Sequence, residues 1–459
     1  MTDVRIGSLD LLLLAAGLGV LVAAGFVASV RDALRLAGLA FVVGFALVGA
    51  LLSFVLPLGA PMSVGLVLAA AALPVAAAIV VRSRSASTLE TRPATRVARA
   101  GRIVVGVAAV AVLGYLAVLL RAVHAEGSSN AWDAWTFWIP KAKTIFYFHG
   151  LDAGPGGITS YANPEYPPLL PAMDASVFQF AGRAQATLLP VQEWLLAAAF
   201  IWGLAGLFWR RVPTTVLAVS LALLLFMPDI GGTVGQSLAD LPLSLLLGTA
   251  AACLALWLVE RSGRYLVPAA FLLAAAAATK KEGLGLAVVL LVATAVAARS
   301  PRRSIPLLAP AGAAIAAVVP WDVWLRTNHV VTSGTYRLAD VFDPHFLAGR
   351  WGRLGTSADR VPQYLFDVGR WELVLPLALL AALLVVRRSP GPALLVIVST
   401  VLGLLGLIGI YWISFLPLEF HLDTSATRTV MPFVVVGGSL LPLLLGLALR
   451  SGRAQTAPV

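Results

Sequence analysis

Residues 35–56 read RLAGLAFVVGFALVGALLSFVL, an uncharged run from Leu36 onward. It is close to the roughly 20 apolar residues that a helix needs to cross the hydrocarbon of a bilayer. Working outward from it, comparable segments lie at 8–30, 61–81, 103–121, 187–208, 213–230, 238–258, 264–279, 283–299, 305–325, 371–386, 393–415 and 430–449. Windowed hydropathy therefore predicts about thirteen transmembrane helices. Composition agrees: of 459 residues 59% are hydrophobic and 12% charged, and the mean hydropathy is +0.91, whereas soluble domains carry about a quarter charged residues. The expected fold class is an all-α polytopic membrane protein. The first run, Ser8 to Val30, is longer than the roughly 7–15 residues of a signal-peptide core and lacks a strongly basic leader, so it is expected to stay as a span. The lone cysteine, Cys253, excludes an intramolecular disulfide.

The segment 167–181, PPLLPAMDASVFQFA, is apolar but short, opens on prolines and carries Asp174. It is expected to lie on or dip into the interface without crossing. With that placement, the arginines of the short loops fall on one side: Arg31 and Arg35, the run Arg82 to Arg102, Arg210 and Arg211, Arg261 and Arg264, Arg299 to Arg303, Arg387 and Arg388, Arg450 and Arg453. Cytoplasmic loops carry the excess of Lys and Arg. This predicts a cytoplasmic-membrane protein with its N-terminus out, its C-terminus in, and the long loops 122–186 and 326–370 facing outward. Residues 1–102 would hold three helices and a basic cytoplasmic loop, 103–449 the core, and 450–459 a cytoplasmic tail. The net charge of +11 is accounted for by this anchoring, so the partner is the membrane and no nucleic acid is implied.

No P-loop or dinucleotide fingerprint is present, and His and Cys are too sparse for an obvious transition-metal cage, so no metal ligand is assigned. Chemistry must then reside in the outward loops. The chain has four lysines, Lys141, Lys143, Lys280 and Lys281, all outside or at outer helix ends in this topology, while Arg supplies the remaining positive charge. Compact, rotatable ammonium groups suit a phosphate or pyrophosphate headgroup; the plainer reading is interfacial snorkelling. Pro140 fits the first turn of a short helix carrying Lys141 and Lys143. Two residues apart, they point to roughly opposite sides, so at most one faces a given phosphate. Trp132, Trp135 and Trp138 recur every third residue and are expected to line one stripe, as an aromatic belt or a platform for sugar faces. Asp133, a carboxylate among aromatics beside a span, is costly to desolvate unless used.

A span, a short stretch bearing Asp133, an amphipathic helix ending at His149-Gly150 and then Tyr166-Pro-Pro-Leu169 follow in order. Leu238-Ala-Asp-Leu-Pro-Leu243 opens one span, Thr279-Lys-Lys-Glu-Gly-Leu284 joins two, and Arg428 precedes Pro432 in the last outward loop. Over residues 103–449 this series resembles the GT-C fold glycosyltransferases. Among these are the protein O-mannosyltransferases, the bacterial enzyme that adds aminoarabinose to lipid A, and bacterial relatives of the dolichyl-phosphate-mannose-protein mannosyltransferase type.

The resemblance implies transfer of a sugar from a polyprenyl-phosphate donor to an acceptor glycan, lipid or protein on the outer face of the membrane, as part of cell-envelope glycosylation. Single displacement with inversion is expected. Asp133 matches the family's proposed general base, and Lys141, Lys143, Lys280, Lys281 and Arg428 are the candidates for binding the donor phosphate. The family often has an acidic pair at the base position; here Ala134 follows Asp133, so a second carboxylate would come from Glu165, Asp174 or Asp152. Tyr166, Asp240, Glu282 and His421 complete the candidate substrate-binding set, although Asp240 and Glu282 also suit helix capping. No cofactor is required, and use of a divalent metal stays open. Two other classes remain: a ligase or polymerase acting on undecaprenyl-pyrophosphate-linked glycans, and a secondary transporter, which would place its ionisable residues near mid-membrane.

Overall fold

The computed structural model describes residues 2–82, 99–332 and 334–453. Helices and the turns between them make up all of this; no strand occurs among the described residues. Each expected apolar segment contains a helix, but among the described residues only eight helices are long and apolar enough to cross a membrane alone: Arg5–Ala23, Ala37–Leu58, Ala100–Glu126, Ala186–Phe208, Asp240–Glu260, Pro301–Thr327, Pro390–Ile413 and Leu418–Arg450. A ninth would be the pair Trp351–Trp371 and Val374–Val385, bent by 105°. The chain is thus an α-helical membrane protein, and the expected thirteen spans are not supported. Val64–Val80, Thr214–Phe226, Gly263–Thr279 and Gly283–Ala298 are shorter apolar helices.

Their shortness has local causes. The segment 213–230 breaks because Met227 precedes Pro228, which forces Met227 out of the helical region (ψ 123°). The remaining 13 residues rise only about 20 Å, against roughly 30 Å of hydrocarbon. Residues 264–279 and 283–299 are cut apart by Lys280-Lys-Glu, where Lys280 is fully extended. Gly283 opens the next helix, and a Cβ there would collide with the Ala276 carbonyl.

The helix Asp240–Glu260 runs through the centre of the bundle, buried from Asp240 to Leu258, and the C-terminal helix Leu418–Arg453 packs along it. The helix Ala100–Glu126, despite its apolar sequence, is mostly exposed. That ordering fits a lipid solvent, in which the periphery need not be polar.

The first three helices are not set apart from the rest. Gly17 and Gly44 let the helices Thr2–Ala23 and Ala37–Val55 touch backbone to backbone, since a Cβ on either would strike the other's carbonyl. The helix Ala37–Val55 in turn packs on Leu189–Phe208, Leu266–Thr279 and Leu308–Thr327. The helix Leu169–Ala181, too short to span on its own, is enclosed by Thr2–Ala23, Ala37–Val55 and Ile139–Tyr147, with all but one of its residues buried.

Other boundaries shift too. The last helix starts at Leu418, so His421 and Arg428 sit on a helix and not in a loop. It continues to Arg453, into the expected tail. The loop 326–370 is largely helical, with Trp351–Leu365 as its longest piece. Most of the basic run Arg82 to Arg102 lies outside the described residues.

Candidate functional site

At 21 residues the helix Asp240–Glu260 is about 31 Å long, so its ends lie on opposite sides of the bundle. At the Glu260 end the arginines gather: Glu260 pairs with Arg211 at 2.6 Å and Arg264 at 2.9 Å, and Arg450 donates to the Arg211 carbonyl at 2.5 Å. At the Asp240 end a different set of charges meets.

Asp240 occupies the first turn of its helix, where the macrodipole favours a carboxylate, and its Oδ1 accepts from Lys280 Nζ at 2.8 Å. The break between the helices ending at Thr279 and starting at Gly283 aims Lys280 at this point. Its side chain is 11% exposed and that of Asp240 4%. Burial disfavours the lysine's charge, yet the Asp240 and Glu282 carboxylates together hold Lys280 above the ordinary lysine range. From the C-terminal helix, Arg428 Nη1 lies 3.8 Å from Asp240 Oδ2 and also pairs with Asp133. Its second nitrogen donates to the Thr424 carbonyl one turn back, at 2.9 Å. Asp133, Arg428, Asp240 and Lys280 therefore form a row of alternating charge, with Asp133 and Arg428 at its more open end.

Asp133 stands immediately before a π-helical turn, Ala134–Trp138, that runs into the helix Ile139–Tyr147. Such wide turns recur at functional sites. The π turn also undoes the expected aromatic stripe. Trp132 and Trp135 are exposed, whereas Trp138 is buried and stacks on Tyr166 with ring centroids 5.6 Å apart.

The turn Asn163-Pro-Glu-Tyr166 closes the other flank. Asn163 adopts φ 50°, and its carbonyl accepts from both the Tyr166 amide at 3.1 Å and Lys141 Nζ at 2.5 Å. Glu165 meets Lys281 at 3.6 Å, and the Glu165 carbonyl accepts from Trp321 Nε1 at 2.9 Å. The Tyr166 ring is near two ammonium groups, Lys141 at 5.9 Å and Lys280 at 6.0 Å from its centroid. Burial, with Glu282 and Asp240 nearby, pushes its phenol well up.

No family model and no curated protein matches the chain. The site stands on its geometry alone.

Of the residues singled out in the sequence, Asp133, Arg428, Asp240, Lys280, Lys281, Glu165 and Tyr166 are linked through direct contacts. Glu282 lies within electrostatic reach of Lys280 and Tyr166 and keeps a buried carboxylate oxygen, Oε2, without a hydrogen-bond partner. His421 is on the same face of the C-terminal helix, its ring 4.7 Å from that of Tyr411, and its buried Nδ1 also has no partner.

The two lysines of the short helix do diverge. Lys141 is 1% exposed and held by the Asn163 carbonyl, and burial lowers its ammonium to about 7, with Glu165 opposing. Lys143 is partly exposed, with its ammonium 5.4 Å from the Trp135 ring. Lys141 thus braces the loop, and the cations that meet the charged row are Arg428, Lys280 and Lys281. Asp174 is buried elsewhere, in the enclosed helix, and burial pushes its carboxyl up to about 8. Asp152 accepts from the Gly154 amide at 2.8 Å and serves its own turn. Neither joins the charged row.

Trp321, Tyr336 and Tyr411 went unrecognised in the sequence. Trp321 anchors the Glu165 turn, and Tyr336 lies 4.6 Å from Lys281. Tyr411 Oη is hydrogen bonded with Ser425 at 2.9 Å and Thr429 at 3.0 Å, beside His421. Trp321 and Tyr411 sit within apolar runs and look like ordinary span residues, so nothing in their local sequence distinguishes them.

Among the described residues, no three His, Cys, Asp or Glu side chains converge as metal ligands would.

Proposed function

We propose that the chain is a GT-C-like glycosyltransferase that moves a sugar from a polyprenyl-phosphate donor to an acceptor hydroxyl on the outer face of the cytoplasmic membrane. The observation that carries this reading is the meeting of Asp133 with Arg428, 295 positions apart, over the buried pair of Asp240 and Lys280. Residues from four distant segments, offered from the sequence as base (Asp133), donor-phosphate ligands (Lys280 and Arg428) and substrate-binding carboxylate (Asp240), share one site. That site lies a full helix length from the arginine-rich end. By the charge bias of cytoplasmic loops, the reading puts it outward, where a lipid-linked donor presents its headgroup.

In the proposed step the acceptor oxygen attacks the anomeric carbon and its proton passes to Asp133. The bond from that carbon to the phosphate oxygen breaks with its electron pair staying on the phosphate, and the configuration inverts. General-base assistance of this kind contributes roughly 10²–10⁴-fold. The departing phosphate gains a negative charge, which Arg428 and Lys280 are placed to stabilise in a partly desolvated setting. The exposed aromatic rings of Trp132 and Trp135 flank the approach and offer faces on which a sugar can stack.

The test uses purified protein in proteoliposomes with a panel of radiolabelled polyprenyl-phosphate sugars, wild type beside Asp133→Asn. Consumption of one donor that depends on Asp133 supports the assignment. Absence of turnover with every donor, with candidate acceptors and divalent metals supplied, would turn attention to the pyrophosphate-linked ligase or transporter classes.

A further inference from the structure

Within that reading, the three cations gathered at the charged row, Lys280, Lys281 and Arg428, already have carboxylate partners. Lys280 is held by Asp240 at 2.8 Å, Lys281 faces Glu165 at 3.6 Å, and Arg428 is shared by Asp133 and Asp240. A phosphate that binds any of these three must therefore compete with a carboxylate. The competition is least costly where the pair is best hydrated, because breaking a buried pair strands a charge. The side chains of Asp133 and Arg428 are 21% and 27% exposed, against 4% and 11% for Asp240 and Lys280. Asp240, fixed by Lys280, and the Thr424 carbonyl would keep Arg428 in place while its outer partner changes.

We infer that a polyprenyl phosphate headgroup binds by replacing Asp133 on Arg428, and that this exchange releases the Asp133 carboxylate. The inference rests on the transferase reading and adds an order to it. Before the donor arrives, the Asp133 carboxylate is occupied by Arg428. Once phosphate takes Arg428, the carboxylate is free to accept a proton, so the donor binds first and an acceptor arriving early finds no active base.

The exchange is read with undecaprenyl phosphate, which lacks the sugar, so that binding is separated from turnover. Labelling of Asp133 in the wild-type protein by a carbodiimide and an amine, followed by peptide mass spectrometry, should rise several-fold on adding undecaprenyl phosphate. It should stay at its basal level with undecaprenol or with inorganic phosphate alone. In a parallel binding measurement, Asp133→Asn should hold undecaprenyl phosphate about fivefold more tightly, the order expected when a partly exposed ion pair no longer competes. Arg428→Gln should weaken binding and leave labelling insensitive to the lipid.

Tight wild-type binding with unchanged or reduced Asp133 labelling would overturn the exchange while leaving the donor class intact. An equal response to inorganic phosphate would overturn the lipid assignment. Failure of the wild type to bind undecaprenyl phosphate at all would overturn the transferase reading and the exchange with it. The labelling arm needs no variant, so a substitution that misfolds does not protect the inference.

Discussion

Lys280→Met is the perturbation with the best-defined expected cost. Lys280 Nζ lies 2.8 Å from Asp240, and the remaining cation, Arg428, lies 3.8 Å from the same carboxylate. At an effective dielectric of about 20, unit charges at those separations attract by about 6 and about 4 kcal/mol before desolvation is subtracted. Removing one partner of a buried pair typically destabilises by about 3–5 kcal/mol, because the other charge is stranded. Here Arg428 retains part of the attraction, which places Lys280→Met near the lower end, about 3 kcal/mol. For a chain of this length that corresponds to a midpoint lowered by roughly 3–6 °C.

The assay is thermal unfolding of the detergent-solubilised protein, followed by loss of the monodisperse peak on size exclusion. The decisive comparison is the double variant Lys280→Met, Asp240→Leu, which removes both charges from the buried position. It should recover to within about 1 kcal/mol of wild type, since apolar replacement of a buried pair is often neutral. A double variant as unstable as the sum of the two singles would refute the stranded-charge account and would mean that each polar group supports the fold separately.

Asp133→Asn should lower sugar transfer by at least about 10²-fold with expression and extraction unchanged; retained turnover in the radiolabel assay would remove Asp133 from the base role. Gly283→Ala should reduce stability by about 1–3 kcal/mol, as overpacking does, because the new methyl meets the Ala276 carbonyl; an unshifted unfolding midpoint would contradict that contact. Asp174, with its carboxyl raised to about 8 by burial, keeps a proton in the folded state that it loses in the unfolded state. Its contribution is therefore greatest below about pH 4 and is lost as pH rises toward 8, by up to about 1.4 kcal/mol per pH unit. Asp174→Asn should flatten that decline in midpoints measured from pH 5 to 8, and an unaltered slope would assign it to other groups. In a Cys253→Ser background, cysteines at the exposed positions Ser160 and Ala358 should react with an impermeant reagent in intact cells, and one at Arg302 only after lysis; the reverse pattern would invert the orientation.

Much of the site was legible because its residues are chemically anomalous where they stand. Four lysines in an arginine-rich chain, and a carboxylate among tryptophans, are unusual enough to be noticed without coordinates. Helix existence was legible for a related reason, since an apolar run excludes most alternatives. Helix length was less so: Met227-Pro228 and Lys280-Lys-Glu cut runs that hydropathy merges. The start of the last helix was missed because His421 and Arg428 look like loop residues until their spacing puts both on the site-facing side.

By itself the sequence determined that the chain enters a membrane as a set of helices, and it separated the arginine ends from the lysine ends, because solvation of charge and of apolar surface acts residue by residue. Only the tertiary structure decided which charges neutralise one another. Nothing local to Asp133 specifies Arg428, and nothing local to Lys141 specifies that the Asn163 carbonyl holds it inside the loop. The burial of Leu169–Ala181 likewise depends on the first helices closing around it. Pairing and enclosure are properties of side chains brought together from distant positions, and their energies depend on separation and on the water excluded between them, which a linear sequence does not contain.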